Sequence, residues 1–197
     1  MMSMIKPAAS RYGKKTFLKK LVILIIFLGM PLGAGHVSGG EVSLAEYQVK
    51  ALFLLNFTKF VAWPGGAFPG TNTPVVIGVY GEDKFGGALK KVVEGKTVSG
   101  RQIIIQSIDR SDEAEKCQIL FISDSEKKHL GETLDKLKAL PVLTVGESDQ
   151  FMEQGGMINF VKKEGSVRLE INMDAARQAR LQISSRLLTV ADKVKGK

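Results

Sequence analysis

The run Val75-Val76-Ile77-Gly78-Val79-Tyr80, bounded by Pro74 and Gly81, constrains the fold more than any other segment. A strand that is apolar at every position, rather than at every second one, must be covered on both faces. The segments that follow alternate in the same way. A short helix is expected over 84–93, ended by Gly95, then a strand over 102–108 and one polar helical turn at 111–115. A strand over 118–123 leads to a helix from Ser125 to Leu140, closed by Pro141, and then to a strand over 142–145 and a short helix over 149–154. Residues 157–161 and 167–171 read as a hairpin, the second arm alternating apolar and charged. Asp174 then caps a last helix reaching about Val194. Repeated strand–helix units predict an α/β fold: a mostly parallel sheet flanked by helices on both faces, with a C-terminal antiparallel hairpin and a final helix.

Upstream of the sheet, Ser43 and Glu46 have capping-box spacing and open a helix to about Ala62. Leu44, Tyr47, Ala51, Leu55 and Thr58 trace one stripe, which Leu52, Phe53, Phe57, Phe60 and Val61 widen. A helix apolar on most sides is expected to be largely buried. Trp63-Pro64-Gly65-Gly66 stops it, and 64–74, with three prolines and three glycines, is a loop.

The first 35 residues have a different chemistry. They contain no Asp or Glu and carry six of the eight net positive charges, leaving +2 for the remainder. The high charge therefore belongs to a leader and gives no basic face for nucleic acid. Lys6 to Lys20 form a basic region, 21–28 an unbroken apolar run, and 29–40 a stretch of mostly small residues. That order is a secretory signal peptide over 1–39, cleaved at about 35–39, before a single α/β domain over 40–197. The apolar run is shorter than the roughly 20 residues a membrane span needs. Cys117, the one cysteine, allows no internal disulfide; it is read as a buried thiol, with an intermolecular bridge as the alternative.

Chemistry in open α/β sheets gathers at the carboxyl ends of the strands. Here those ends offer Glu82, Asp83, Asp109, Asp124 and Glu147. Glu82 and Asp124 are the ligand candidates; the other reading makes Asp124, Ser125 and Ser148 helix caps. No phosphate loop, nucleophile elbow or clustered His/Cys metal spacing occurs. A hydrolase would have to use His129, which lies on a polar helix. Neither a catalytic centre nor a metal or cofactor is expected.

Three segments stand in a suggestive order: Phe57-Thr58-Lys59-Phe60-Val61-Ala62-Trp63-Pro64, Gly155-Gly156-Met157-Ile158-Asn159-Phe160, and Leu181-Gln182-Ile183-Ser184-Ser185-Arg186-Leu187-Leu188. Together they resemble the YfiR-like family of exported bacterial regulators, over roughly residues 44–192. The resemblance implies a periplasmic, non-enzymatic repressor. Its partner would be the periplasmic domain of an inner-membrane diguanylate cyclase or sensor kinase, with lower cyclic-di-GMP output as the result. It also implies an outer-membrane lipoprotein as a counter-partner, and it allows a homodimer. The family's best-known member relies on internal disulfides, which a chain with one cysteine does not form. The candidate contact residues are Trp63, Phe68, Ser185 and Arg186. Trp63 and Phe68 either present aromatics to a partner or cover the helix end. Ser185 and Arg186, read as lying inside the last helix, either pack or contact a partner. A periplasmic protein that binds or senses a small molecule at the strand ends is the alternative function.

Overall fold

The computed structural model describes residues 39–196; the leader and most of its expected cleavage region lie outside them. Helix α1 runs Gly39–Phe60 and passes directly into the two-residue strand β1 (Val61–Ala62). The sheet is then built from β2 (Val75–Tyr80), β3 (Thr97–Val98), β4 (Arg101–Ile108), β5 (Ile119–Ile122), β6 (Leu143–Gly146), β7 (Ile158–Lys163) and β8 (Ser166–Asn172). Helices α2 (Ala88–Val93) and α3 (Leu130–Leu137) lie between strands. After β8 come α4 (Met173–Gln178), β9 (Gln182–Ile183), α5 (Ser185–Thr189) and β10 (Lys193–Lys195). The eight-stranded order is β10-β8-β7-β6-β5-β2-β4-β3, while β1 and β9 form a separate antiparallel pair.

The fold class expected from the sequence is the one present. Strands β4, β2, β5, β6 and β7 are mutually parallel, and β8 returns antiparallel to β7. Every residue of β2 is buried, as its unbroken apolar run requires. On one face α1, α2, α4 and α5 cover Ile77, Val79, Phe121, Val145 and Phe160. On the other, α3 and the 3-10 turn Ser111–Lys116 cover Ile108, Cys117, Leu120 and Ile122. The first face holds a chain of aromatic rings. Phe53, Phe57, Phe160, Phe121, Phe85 and Tyr47 follow one another at centroid separations of 5.0–6.4 Å.

The C-terminal segment departs from expectation. No single helix spans 174–194. Arg180 takes a left-handed conformation at φ 59 and ends α4. The Leu181 amide then donates to the Ala176 carbonyl, and that of Arg180 to the Arg177 carbonyl. This is a Schellman stop made by arginine, so no glycine announces it in the sequence. The freed backbone pairs with β1, Val61 opposite Ile183 and Ala62 opposite Gln182. Asn172, not Asp174, caps α4 by accepting from the Ala175 amide at 3.2 Å. Three smaller differences follow the same tertiary logic. Helix α1 starts upstream of the Ser43 capping box. Residues 149–154 form turns without a helix. Thr97–Val98 adds an edge strand through a Ser99-Gly100 turn with both residues at positive φ.

Gly78 is the tightest point of the sheet. A Cβ there would lie 2.6 Å from Cys117 Sγ, 3.0 Å from Ile108 and 3.1 Å from Leu120. Gly78→Ala is therefore expected to lower thermal stability by about 1–3 kcal/mol in denaturant titrations. The buried Cys117 thiol, its pKa pushed up to about 11 by burial, is expected to react with a disulfide reagent at pH 8 only as the chain unfolds.

Candidate functional site

The carboxyl ends of the strands carry the most polar cluster of the buried side chains. Glu147 follows β6, and α1 lies across it. The Tyr47 hydroxyl donates to the Glu147 carboxylate, 2.8 and 2.9 Å from its two oxygens. Lys50 Nζ stands 2.7 Å from Glu147 Oε2 and 2.6 Å from Glu46 Oε1. Lys84 approaches Glu147 at 3.7 Å, and the Asp124 amide donates to it at 3.4 Å. Lys50 and Glu147 keep only 5% and 6% of their side-chain surface in water. Glu46 reaches outward to Lys162 at 3.3 Å.

The electrostatics make this cluster a fastener. Burial first, and then the Glu147 charge, push the Tyr47 phenol far above its ordinary value, so it stays a neutral donor. Burial raises the Glu46 carboxyl, but the Lys50 and Lys162 ammonium groups outweigh it and hold its pKa below 4.5. Lys50 is held between two carboxylates, and Glu147 receives donors on both oxygens. Two of the three Lys50 protons have carboxylate partners, and each Glu147 oxygen already accepts a hydrogen bond. No spacing or motif in the sequence announces this cluster. Its signal was a lysine, Lys50, on the same helical face as Tyr47, Ala51 and Leu54.

The strands β4-β2-β5-β6-β7 have the 2-1-3-4-5 order, whose switch point lies between β2 and β5. That crevice is closed. The Glu82 amide donates to Ser125 Oγ at 3.0 Å. A Cβ on Gly81 would collide with Ser125 Oγ and come 2.7 Å from Glu126 Cγ. Glu82 itself points to solvent and Asp124 is half-buried. Ser125 serves this strap and no helix follows Ser148, so neither side chain caps a helix. Beyond β4, an open groove of about 460 Å³ is lined by Tyr80, Arg110, Ser111, His129, Glu132 and Lys136, among others. Its cations are already paired, Arg110 with Asp112 and Lys136 with Glu132, each at 2.8 Å. Lys136 also donates to Ser111 Oγ at 3.2 Å. Among the described residues, no group of three or more His, Cys, Asp or Glu could hold a metal ion.

The remaining candidates lie at the opposite end of β2, about 20 Å away for six residues at 3.3 Å each. Trp63 Nε1 donates to the Gln118 carbonyl at 3.2 Å, and its ring meets Phe68 edge-on at 6.3 Å. The Arg101 guanidinium covers Phe68 at 4.3 Å and donates to the carbonyls of Gly70 and Thr73, each at 2.8 Å. Gln118 Oε1 accepts from the Val76 amide, and Gln118 Nε2 donates to the Ala67 carbonyl. The loop is stapled to the sheet, and both aromatics are half-buried. Ser185 and Arg186 are exposed at the first turn of α5, where the Ser184 side chain is the cap. Because β9 runs antiparallel to β1, Ser185 and Arg186 follow it toward the end of α1 and away from Trp63. Trp63 and Phe68 thus share one loop, while Glu82 and Asp124 lie at the carboxyl end of the strands.

Glu147→Ala is expected to lower stability by about 3–5 kcal/mol, and adding Lys50→Met to recover most of it, because the loss comes from a stranded buried charge. Glu46 has a depressed folded-state pKa, so its contribution is present above 4.5 and disappears as pH falls through the lowered value. The stability gap between the parent and Glu46→Gln should therefore narrow from pH 7 to pH 3 in denaturant titrations.

No curated protein matches the chain. A conserved domain protein from Vibrio cholerae O1 biovar El Tor is similar in structure at TM-score 0.49 and 12% identity, covering 76% of this chain and 60% of that one. The ABC domain in complex with L-Trp from Streptococcus pneumonia gives TM-score 0.45 at 11% identity, covering 61% and 55%. The chain thus spans less than two thirds of the length of either, and likenesses this remote carry no argument about function. Among the described residues no helix is long and apolar enough to cross a membrane. The sequence match is of another order: it runs from the buried Tyr47 of α1 to Asp192 beside β10, over residues 47–192, and the chain belongs to the YfiR/HmsC-like family.

Proposed function

We propose that this protein is a non-enzymatic regulator that works in the periplasm. It restrains a membrane-bound signalling protein, a diguanylate cyclase, by contact with that protein's extracytoplasmic domain, and so lowers cyclic-di-GMP output. Membership of the YfiR/HmsC-like family over residues 47–192 carries this reading. The geometry agrees with it. Glu147 already accepts on both oxygens, the Glu82–Ser125 strap crosses the crevice at the switch point, and Arg110 and Lys136 in the charged groove are each paired. What such a molecule offers a neighbour is surface. The export leader reads as the device that brings that surface to the periplasm, and the same family reading makes an outer-membrane lipoprotein the natural counter-partner.

Deletion of the gene is expected to raise cellular cyclic-di-GMP several-fold. Restoring the chain with its leader should return the level to normal, whereas residues 40–197 expressed in the cytosol should not. An unchanged nucleotide level in the deletion strain would sink the proposal, and rescue by the cytosolic form would remove its compartment.

A further inference from the structure

Two long stretches of the chain carry no acid. Residues 47–81 contain no Asp or Glu, and neither do residues 175–191. The fold sets them side by side. Strand β1 comes from the first and β9 from the second, with Val61 opposite Ile183 and Ala62 opposite Gln182. Val61 and Ile183 are buried, while Ala62 and Gln182 face water. The pairing continues past the strands, where the Ser184 amide donates to the Phe60 carbonyl at 2.8 Å. Lys59, the residue before Phe60, therefore stands beside Ser185 and Arg186. Arg180 lies at the opposite end of the pair, on the Trp63 side.

Elsewhere on the surface acids and bases alternate and pair, as Arg110 does with Asp112, Lys136 with Glu132, Lys138 with Asp135 and Lys163 with Asp192. Here they do not. Lys59, Arg180 and Arg186 are all exposed, and among the described residues none of them forms an ion pair, whereas the neighbouring Arg177 is taken by Asp174. Arg180 also stands where the fold would accept another residue at less cost. Its φ of 59 is the left-handed position that ends α4, and glycine fills such a stop without strain. The two arginines are planar forks suited to carboxylates. Recognition of a lipid surface by charge takes a cluster of about four to eight Lys or Arg, more than this surface carries. A second copy is the wrong occupant as well. With no acid in either segment, every orientation of the patch against itself sets cation against cation.

We propose that the outer surface of the β1–β9 pair, with Lys59 and Arg186 at one end and Arg180 at the other, docks a segment bearing Asp and Glu on the extracytoplasmic domain of the membrane signalling protein. The proposal rests on the regulatory reading above and assigns it a surface. Arg186 serves there as a carboxylate partner and the exposed Ser185 hydroxyl as a neutral donor beside it, while Arg180 is the contact that sequence reasoning did not single out.

The test places a photo-crosslinking benzophenone amino acid at position 182, in the middle of this surface, or at position 135, on the opposite face of the sheet, in the full chain expressed in its own host. Position 182 is expected to give an adduct with a membrane protein that has an extracytoplasmic domain, mapped by mass spectrometry to a segment bearing Asp or Glu. Position 135 should give none. Arg180→Gly should cut the adduct several-fold while its thermal unfolding midpoint equals or exceeds the parent's, because glycine takes the left-handed turn without strain. Joint Lys59→Glu and Arg186→Glu substitution should cut it roughly tenfold or more, with unfolding unchanged because both sites are exposed. An adduct that survives both sets of substitutions would overturn the charged contact. Adducts from 182 only to lipid, or only to a second copy of this chain, would overturn the proposed occupant. Adducts to the membrane protein from 135 but not from 182 would overturn the surface and leave the regulatory role standing. Absence of adducts from both positions, in a host where deletion does raise cyclic-di-GMP, would also overturn the proposal.

Discussion

The buried carboxylate of Glu147 determines how α1 sits on the sheet, and much else follows from that. Burying an ammonium group and a carboxylate is costly unless each is paired and hydrogen-bonded. Here Tyr47 and Lys50, one turn apart on α1, both satisfy Glu147, while Glu46 takes the other side of Lys50. Only one rotation of the helix about its axis allows this. An apolar stripe alone tolerates slippage, whereas a lysine that must meet a buried carboxylate does not. The rotation that brings 47, 50, 51 and 54 inward turns 45, 48, 49 and 52 outward. The aromatic chain from Tyr47 through Phe85, Phe121 and Phe160 to Phe57 then fills the space beneath.

Both ends of the sheet carry internal fastenings. At the carboxyl end, where open α/β sheets usually receive ligands, the Glu82–Ser125 strap and the Glu147 cluster tie the loops together and to α1, beside the open groove at Arg110 and Lys136. At the amino end, Trp63, Phe68, Arg101 and Gln118 bind the proline- and glycine-rich loop down. Their energy is spent on the fold, which makes the packing reading of Trp63 and Phe68 the stronger one.

The most instructive misreading is that of residues 174–194. Ile183, Leu187, Val190 and Val194 have helical spacing, and nothing between Asp174 and Val194 breaks a helix by type. Yet Ile183 is buried in β9, Val190 lies in water and Val194 stands in β10. The stop at Arg180 costs a left-handed residue. It is offset by two Schellman hydrogen bonds, burial of Leu181 and the pairing of β9 with β1. Strand β1 lies more than a hundred residues away in sequence, so no local pattern reports that pairing. The same holds for α1. Its apolar breadth reads as burial on most sides, but one sheet face covers only one side of it.

The sequence by itself determined the layered α/β fold, the doubly covered strand at 75–80, the closing hairpin and the membership of a family whose residues 47–192 are spelled out along the chain. These are local or near-neighbour properties, set by apolar periodicity and turn residues within a few positions of one another. Only the tertiary structure decided that Lys50 is a buried fastener, that Glu147 is engaged by Tyr47 and Lys50 while Glu82 stays in solvent, and that Leu44, Val49 and Leu52 are left facing water. A side chain's partner is a matter of which distant element arrives beside it, and that is known only once the sheet order and the rotation of each helix are set.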